Sequence, residues 1–439
     1  MSEKLLEKIE NNEAQICVVG LGQVGLPVAL SFCKAKFTVI GLDVNEIQIN
    51  LLKNRKSPFK EPILQDLLEK YIDQNKFLPT KDEKMIASSD IIIVCVPTPI
   101  SEDIKPDLSF LEKACKTISN FELCNKLIII ESSIPPKTFE NLILPILLKN
   151  NNNVLASYIP ERLSPGQAFE EIETTSRVIG AIDEKSRIIT KVVYSKILKS
   201  EIYETIPLVA EICKLVENTF RDVNVAFANE IAMVCETYGI DVLEVRNICN
   251  SHPRVNILSP GPGVGGPCLP KDPYLLLNPQ NSTQIKSDMI TNARKINDSM
   301  PFHVLEMIKN SFKQKNKKLT NTIITILGVT YKANVSDTRY SPAKEIIMDL
   351  LKNGCKVIVS DPKTNETFNA IREEDVWKSL IKSDMIVVLT EHDEFKNLDL
   401  NRIRGIMNED PILIDTRRMF KKELAEKLGF KYNSIGYYG

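Results

Sequence analysis

Short, almost unbroken apolar runs punctuate the first third of this chain: Ile16–Val19, Phe37–Leu42, Asp90–Val96 and Lys126–Ser133. Ile/Val runs without polar alternation mark strands covered on both faces, as in a parallel sheet. A helical pattern (Val28, Leu30, Phe32) follows the first run. From Pro207 to Gly239 the pattern is that of one long helix, about 50 Å at 1.5 Å per residue. It is apolar nearly all round (Leu208, Ile212, Leu215, Val216, Phe220, Val223, Phe227, Ile231, Val234). Such a helix is expected to be buried between domains or subunits. After a basic linker, Lys313–Lys318, strand runs resume at Thr322–Leu327, Val357–Ser360, Met385–Leu389 and Ile412–Ile414. The stretches SSDIIIVCV, ending at Val96, and KSDMIVVLT, ending at Thr390, form a weak internal echo. The expected fold is α/β: two Rossmann-like doubly wound parallel-sheet domains joined by a long central helix, divided at 1–205, 206–312 and 313–439.

Composition narrows the class of protein. The 439 residues carry 56 basic and 57 acidic side chains, which gives no argument for nucleic acid or a membrane surface as partner. Ten cysteines are scattered without a C-x-x-C pair, and Cys17, Cys33, Cys95, Cys213 and Cys235 sit inside apolar runs, as reduced core residues do. With three histidines, no metal site is expected. Residues Ser2–Gln15 read as a charged amphipathic stretch rather than a signal peptide, and no run is long enough to span a bilayer. A cytoplasmic enzyme is the expectation.

The first candidate chemistry is a nucleotide turn. Gly20-Leu21-Gly22-Gln23-Val24-Gly25 follows a strand run and opens a helical pattern, and a second strand run ends at Asp43, 18 residues past Gly25. That is the complete dinucleotide-binding unit. Gly20 makes the tight turn, Gly22 admits a pyrophosphate, and Gly25 allows close packing of helix on strand. Asp43 would accept from the ribose hydroxyls and repel a 2′-phosphate, so NAD is expected over NADP. Ligands in such sheets lie beyond the carboxyl ends of the strands, where Gly20, Thr98 and Ser133 fall.

The second is the loop Gly261–Pro273, which sets Cys268 among glycines and prolines with Lys271 and Asp272 just beyond. A thiol held this way is presented rather than packed, and Lys271 would favour its thiolate. A Gly/Pro-rich surface turn that carries a cysteine is the competing account. On the long helix Lys214, Asn218 and Arg221, at i, i+4 and i+7, share a face. They are either a solvated stripe or donors for an oxygen in an active site.

Five blocks in order give the chain its resemblance: Gly20–Gly25, Pro160–Gly166, Lys214-x-x-x-Asn218, Gly265-Gly266-Pro267-Cys268, and Gly328-x-x-Tyr331-Lys332 with Asp337-Thr338-Arg339. Together they resemble the UDP-glucose/GDP-mannose dehydrogenase family from end to end. The blocks Arg221–Glu230 and His252–Ile257 are similar to the branch acting on UDP-N-acetylmannosamine, with UDP-N-acetylglucosamine and UDP-glucose as alternatives. Pro267 departs from that branch, which commonly has His there, and Ser133 stands where relatives often carry Thr.

The resemblance implies a four-electron oxidation of a sugar C6 alcohol to the carboxylate with two NAD. Cys268 would trap the intermediate aldehyde as a thiohemiacetal, which is oxidised to a thioester and then hydrolysed. Lys214 and Asn218 would hold the oxyanion or water, Asp272 would act as base, and Glu161 would assist hydrolysis. Asp272 could equally cap the next helix, and Glu161 could be a loop ion pair. Glu161, Arg162, Lys214, Asn218, Arg221, His252, Gly265, Tyr331 and Lys332 are the implied substrate contacts, with Arg254 supplied from a neighbouring subunit of a homodimer or larger homo-oligomer. Arg339 and Arg417 are implied near the cofactor phosphates, although Arg417 could equally cap a strand end. The third domain becomes the UDP-binding one. A two-electron β-hydroxyacid-type dehydrogenase would leave Cys268 and the C-terminal domain unexplained. A non-catalytic NAD sensor would be expected to lack Lys214, Cys268 or Asp272.

Overall fold

A computed structural model describes residues 2–59, 61–101, 103–151, 153–163, 168–280 and 283–437. Ser164, Pro165 and Gly166 of the Pro160–Gly166 block lie outside the described residues. Two compact units are present, one made of residues 1–217 with 271–286, the other of 218–270 with 287–439.

The first unit is built on β1 (Gln15–Val19), β2 (Thr38–Leu42), β3 (Phe77–Thr80), β4 (Ile91–Val94), β5 (Leu127–Ile130), β6 (Leu155–Tyr158), β7 (Arg177–Ala181) and β8 (Ile202–Thr205). They form one sheet in the order β3-β2-β1-β4-β5-β6-β7-β8. Every residue of β4 and β5 is buried, as their unbroken Ile/Val runs require. The sheet is parallel with one exception, since β7 runs antiparallel to β6. The helix Gly25–Lys34 packs on the sheet with its residues from Gly25 to Cys33 all buried.

The second unit carries β9 (Ile323–Leu327), β10 (Lys356–Ser360), β11 (Ile371–Arg372), β12 (Met385–Val388), β13 (Ile412–Asp415) and β14 (Lys431–Asn433). The order β11-β10-β9-β12-β13-β14 repeats the doubly wound sequence of the first sheet, and all its pairings are parallel.

The long helix spans Pro207–Tyr238. Its two faces differ in burial within a single chain. Ala210, Leu215, Ala226, Ala228 and Ala232 are buried, but Val209, Ile212, Val216, Phe220, Phe227 and Val234 are exposed, Phe220 by 67%. One apolar face of the helix is therefore uncovered within a single chain.

Candidate active site

In the first unit the three glycines of the turn divide their work by geometry. Gly20 has φ +90°, and a Cβ there would lie 2.7 Å from the Cys95 carbonyl oxygen. A Cβ on Gly25 would lie 1.8 Å from the Gly20 carbonyl oxygen. A Cβ on Gly22 would meet nothing within 4 Å, because Gly22 faces a cavity of about 510 Å³ lined by Asp43, Asn45, Gln48, Val96 and Pro97 among others. Gln23 and Val24 are half-buried in the turn that leads into the helix. Asp43 accepts the Leu21 N–H on Oδ2 and the Asn45 N–H on Oδ1, both at 2.8 Å. Each carboxylate oxygen keeps acceptor capacity toward the cavity. An open cradle at Gly22, a helix N-terminus behind it and an acid at its rim fit a dinucleotide.

Beyond β4 and β5, the Thr98 hydroxyl donates to the Ser133 carbonyl at 2.5 Å. Lys271 Nζ donates to the Thr98 carbonyl (2.9 Å) and lies 3.3 Å from its hydroxyl. Lys271 is thus engaged by Thr98, with Asp272 Oδ1 3.8 Å away. Asp272 is fully buried at the first position of the helix Asp272–Leu277 rather than at its cap. Lys214 and Glu161, 5% and 8% exposed, face each other with Nζ 3.9 Å from Oε2. Burial pushes the Glu161 carboxyl up; the charges of Lys214 and Arg177 oppose this, and Glu131 and Asp272 add to it.

Glu131 and Arg177 carry no motif in the sequence. Glu131 ends the β5 run and accepts from the Tyr194 hydroxyl, and burial pushes its carboxyl up against the pull of Arg177. Arg177, which opens β7 and is fully buried, donates to the Pro160 carbonyl at 3.3 Å. The Glu161 N–H is 3.4 Å from the Glu131 carbonyl. Two main-chain contacts and two charges therefore set where Glu161 stands. An acid directly after an apolar strand was the one available signal. Arg162 grips Glu217 with Nε and Nη2 (3.0 and 2.6 Å) and gives Nη1 to the Ser176 carbonyl, which places it as a strut of this unit.

The second unit holds the cysteine loop. The Gly261 N–H donates to Asn229 Oδ1 at 2.9 Å, and Asn229 Nδ2 donates to Asn297 Oδ1 at 3.0 Å. Asn297 in turn donates to Asp222, which is paired with Arg294 at 2.5 Å. This buried chain starts in the Arg221–Glu230 block and ends at the loop. At the other end the Gly266 N–H donates to the Arg339 carbonyl at 2.9 Å, and Cβ atoms on Gly265 or Gly266 would lie 2.7 Å from the Tyr331 side chain. Glycine is required there because Tyr331 occupies the space.

Half-buried Cys268 acts electrostatically on Tyr331 and Arg339. The Tyr331 hydroxyl is pushed up to about 12 by burial, with Asp337 and Cys268 contributing and Arg339 and Arg221 opposing. Arg339 is paired with Asp337 at 2.6 Å. Arg417 donates Nε to the Leu389 carbonyl at 2.9 Å, a strand-end cap, and its guanidinium lies against Gly261. Asn218 is buried one turn beyond Lys214 on the long helix, whereas Arg221 is exposed. Lys332, His252 and Arg254 are exposed, with the Arg254 N–H 3.3 Å from His252 Nδ1. Among the described residues no group of His, Cys, Asp and Glu could hold a metal ion, and no helix is long and apolar enough to cross a membrane.

Known proteins bear directly on this arrangement. Residues 14–198, 208–299 and 325–422 match, in turn, the NAD binding, central and UDP binding domain models of the UDP-glucose/GDP-mannose dehydrogenase family. A UDP-N-acetyl-D-mannosamine dehydrogenase from Methanocaldococcus jannaschii is 39% identical over 439 residues, covering 98% of this chain and 99% of its own. The chain belongs to the UDP-glucose/GDP-mannose dehydrogenase family. Among solved structures, a UDP-D-ManNAc dehydrogenase from Pyrococcus horikoshii superposes with a TM-score of 0.89 at 36% identity, covering 96% of this chain and 99% of its own. A UDP-N-acetyl-mannosamine dehydrogenase from Staphylococcus aureus superposes with a TM-score of 0.83 at 33% identity, covering 96% and 98%. This member of the dehydrogenase family is an NAD-dependent oxidoreductase acting on a nucleotide sugar.

With the cofactor known, Asp43 makes a testable prediction. Asp43→Ala should raise KM for NAD about tenfold, the cost of losing a charged acceptor, and relax discrimination against NADP. Steady-state kinetics with both cofactors checks this. Asp43→Asn, which keeps an acceptor for the Leu21 N–H, separates loss of charge from collapse of the turn. Equal use of NAD and NADP by the wild type would remove Asp43 from the ribose.

Proposed function

We propose that the protein oxidises the C6 hydroxymethyl of UDP-N-acetyl-D-mannosamine to the uronate in two NAD-dependent steps, through a thiohemiacetal and a thioester on Cys268. The observation that carries this reading is the Cys268 loop, pinned at Gly261 and Gly266 beside Arg339 and Tyr331. Arg339 interacts electrostatically with Cys268 within the second unit, and a cation so placed suits a nucleophilic cysteine. The substrate rests on relatives 36–39% identical over nearly the whole chain, which are UDP-N-acetyl-D-mannosamine dehydrogenases.

Bound NAD accepts the hydride in each oxidation. Lys214 and Asn218 hold the oxygen that becomes anionic, where fixed donors away from water are most effective. Buried Asp272 takes the alcohol proton, and Glu161 draws a proton from the water that cleaves the thioester. The balance is one alcohol, two NAD and one water giving one carboxylate, two NADH and three protons. Tyr331, Lys332 and Gly265 contact the UDP moiety. We assign residues 1–205 to cofactor binding, 206–312 to the central helical region with the cysteine loop, and 313–439 to UDP binding.

The uncovered face of the long helix supports a homodimer, in which the exposed Arg254 serves the partner's site. The ten cysteines stand as thiols rather than in disulfides, which suits the cytoplasm.

NADH production across a panel of UDP- and GDP-sugars tests the substrate. UDP-N-acetyl-D-mannosamine should rank first, UDP-N-acetylglucosamine next and UDP-glucose third. Robust turnover of UDP-glucose with neither acetylated sugar oxidised would sink the assignment. Arg221→Ala should raise KM for the acetylated sugar about tenfold, as loss of a hydrogen bond to a charged group does. Because Arg221 is exposed, Tm should move little.

A further inference from the structure

The internal echo in the sequence has an atomic counterpart. Asp90 Oδ2 accepts the Gln15 N–H at 2.9 Å and the Asp90 N–H donates to the Gln15 carbonyl at 2.8 Å. Asp384 Oδ2 accepts the Ile323 N–H at 2.9 Å and the Asp384 N–H donates to the Ile323 carbonyl at 2.8 Å. The same duplication holds at the other end of the central strands. Gly20 (φ +90°) donates its N–H to the Leu42 carbonyl at 2.8 Å, and Gly328 (φ +80°) donates to the Ser360 carbonyl at 3.0 Å. Asp43 accepts from Leu21 and Asn45 N–H groups at 2.8 Å; Asp361 accepts from Val329 and Lys363 N–H groups at 2.7 and 2.8 Å. One strand–glycine–acid device is used twice.

The copies differ at the acid. Asp43 lines the 510 Å³ cavity. Asp361 faces the imidazole of His392, which is 0% exposed. His392 Nδ1 accepts the Asn334 N–H at 3.0 Å, so the ring proton is on Nε2. Nε2 lies 3.1 Å from Asp361 Oδ2 and 3.1 Å from Thr330 Oγ1, whose own proton goes to the Lys332 carbonyl at 2.9 Å. The neutral ring thus donates to the acid, as a ribose hydroxyl would, and accepts from the loop that follows Gly328. Thr390 adds a 2.5 Å bond to the Thr330 carbonyl of the same loop. His392 stands eight residues past Asp384, as Thr98 stands eight past Asp90, but Thr98 turns its hydroxyl to Ser133. Burial works to raise the Asp361 carboxyl, yet the bond from His392 and the backbone N–H groups outweigh it and hold it below its ordinary range.

We propose that His392 is a positioning residue that stands in for a ribose at Asp361, fixing the Gly328–Asn334 loop in the shape that presents Tyr331 and Lys332 to the UDP moiety. This rests on the reading that Tyr331 and Lys332 contact UDP. Calorimetry on the full-length protein with UDP, and separately with NAD, tests it. His392→Ala should weaken UDP at least tenfold and leave NAD within twofold. His392→Gln, which keeps one donor and one acceptor, should restore UDP affinity to within threefold of the wild type. Unchanged UDP affinity in a folded His392→Ala protein, or equal losses of UDP and NAD, overturns the proposal. If His392→Ala does not fold, Thr390→Val, which frees the Thr330 carbonyl of the same loop, should weaken UDP threefold or more with NAD unaltered, and no effect on UDP overturns the proposal equally. Lys332→Ala separates the two readings. If it leaves UDP binding unchanged, the assignment of the loop to UDP fails; if it weakens UDP while His392→Ala does not, the role of His392 alone fails.

Discussion

Cys268→Ala should abolish the delivery of two NADH per sugar, with the rate of uronate formation falling by a thousandfold or more, on the order of what losing a catalytic nucleophile costs. The reason is the order of bonds. The first oxidation turns the alcohol into an aldehyde, and an aldehyde has no hydride to give until a nucleophile adds to its carbon. In the proposed mechanism Cys268 supplies that nucleophile, and the tetrahedral adduct carries the second hydride. Cys268→Ser can still add, but the ester it would form is cleaved far more slowly than a thioester. Serine should therefore permit the first step and then stall. Counting NADH per sugar consumed and identifying the product as uronate or aldehyde distinguishes these cases. The loop should survive both substitutions, since its anchors are Gly261 on Asn229 and Gly266 on the Arg339 carbonyl rather than the thiol. Two NADH per sugar from Cys268→Ala at near the wild-type rate would remove the thiol from the chemistry.

The strands that announced themselves in the sequence are those at the centre of each sheet. β1, β2, β4 and β5, and β9, β10, β12 and β13, are largely buried and rich in Ile, Val and Leu. Those without a signal are peripheral or mixed: β3 contains Pro79, β8 reads Ile-Tyr-Glu-Thr, and β11 is two exposed residues. Their existence is decided by pairing to a strand already in place, not by local propensity. The candidate site divides in the same way. Gly20, Gly22, Gly25, Asp43 and Cys268 were legible because a turn, a cradle or a presented thiol demands particular residue types at short spacing. Proximity along the chain was a poorer guide to side-chain direction. Lys271 stands three residues after Cys268, and its ammonium donates to the Thr98 carbonyl, 173 positions away in sequence. Glu131, Arg177 and His392 were silent for a related reason, since a buried charge or ring acquires its meaning only from partners that the fold brings in from elsewhere.

Lys214→Ala should lower kcat about a hundredfold, the usual cost of removing a fixed donor from a developing oxyanion, and should also move the pH profile. Lys214 and Glu161 form a buried pair, with Nζ 3.9 Å from Oε2. Burial already raises the Glu161 carboxyl, and the Lys214 ammonium is the largest influence opposing that rise. Removing the ammonium leaves burial, Glu131 and Asp272 acting upward against Arg177 alone. The Glu161 carboxyl then ionises at higher pH than in the wild type. In the proposed mechanism hydrolysis needs the ionised form to take a proton from water, so residual activity of Lys214→Ala should keep increasing at pH values where the wild type has levelled off. Lys214→Arg, which restores a cation with different reach, should recover the position of the acidic limb more fully than it recovers kcat. Glu161→Gln, with no carboxyl to ionise, should lose that limb. Profiles of kcat against pH for the four proteins decide the matter. An acidic limb at the same pH in Lys214→Ala and the wild type would mean that a group other than Glu161 governs hydrolysis, whatever the fall in kcat.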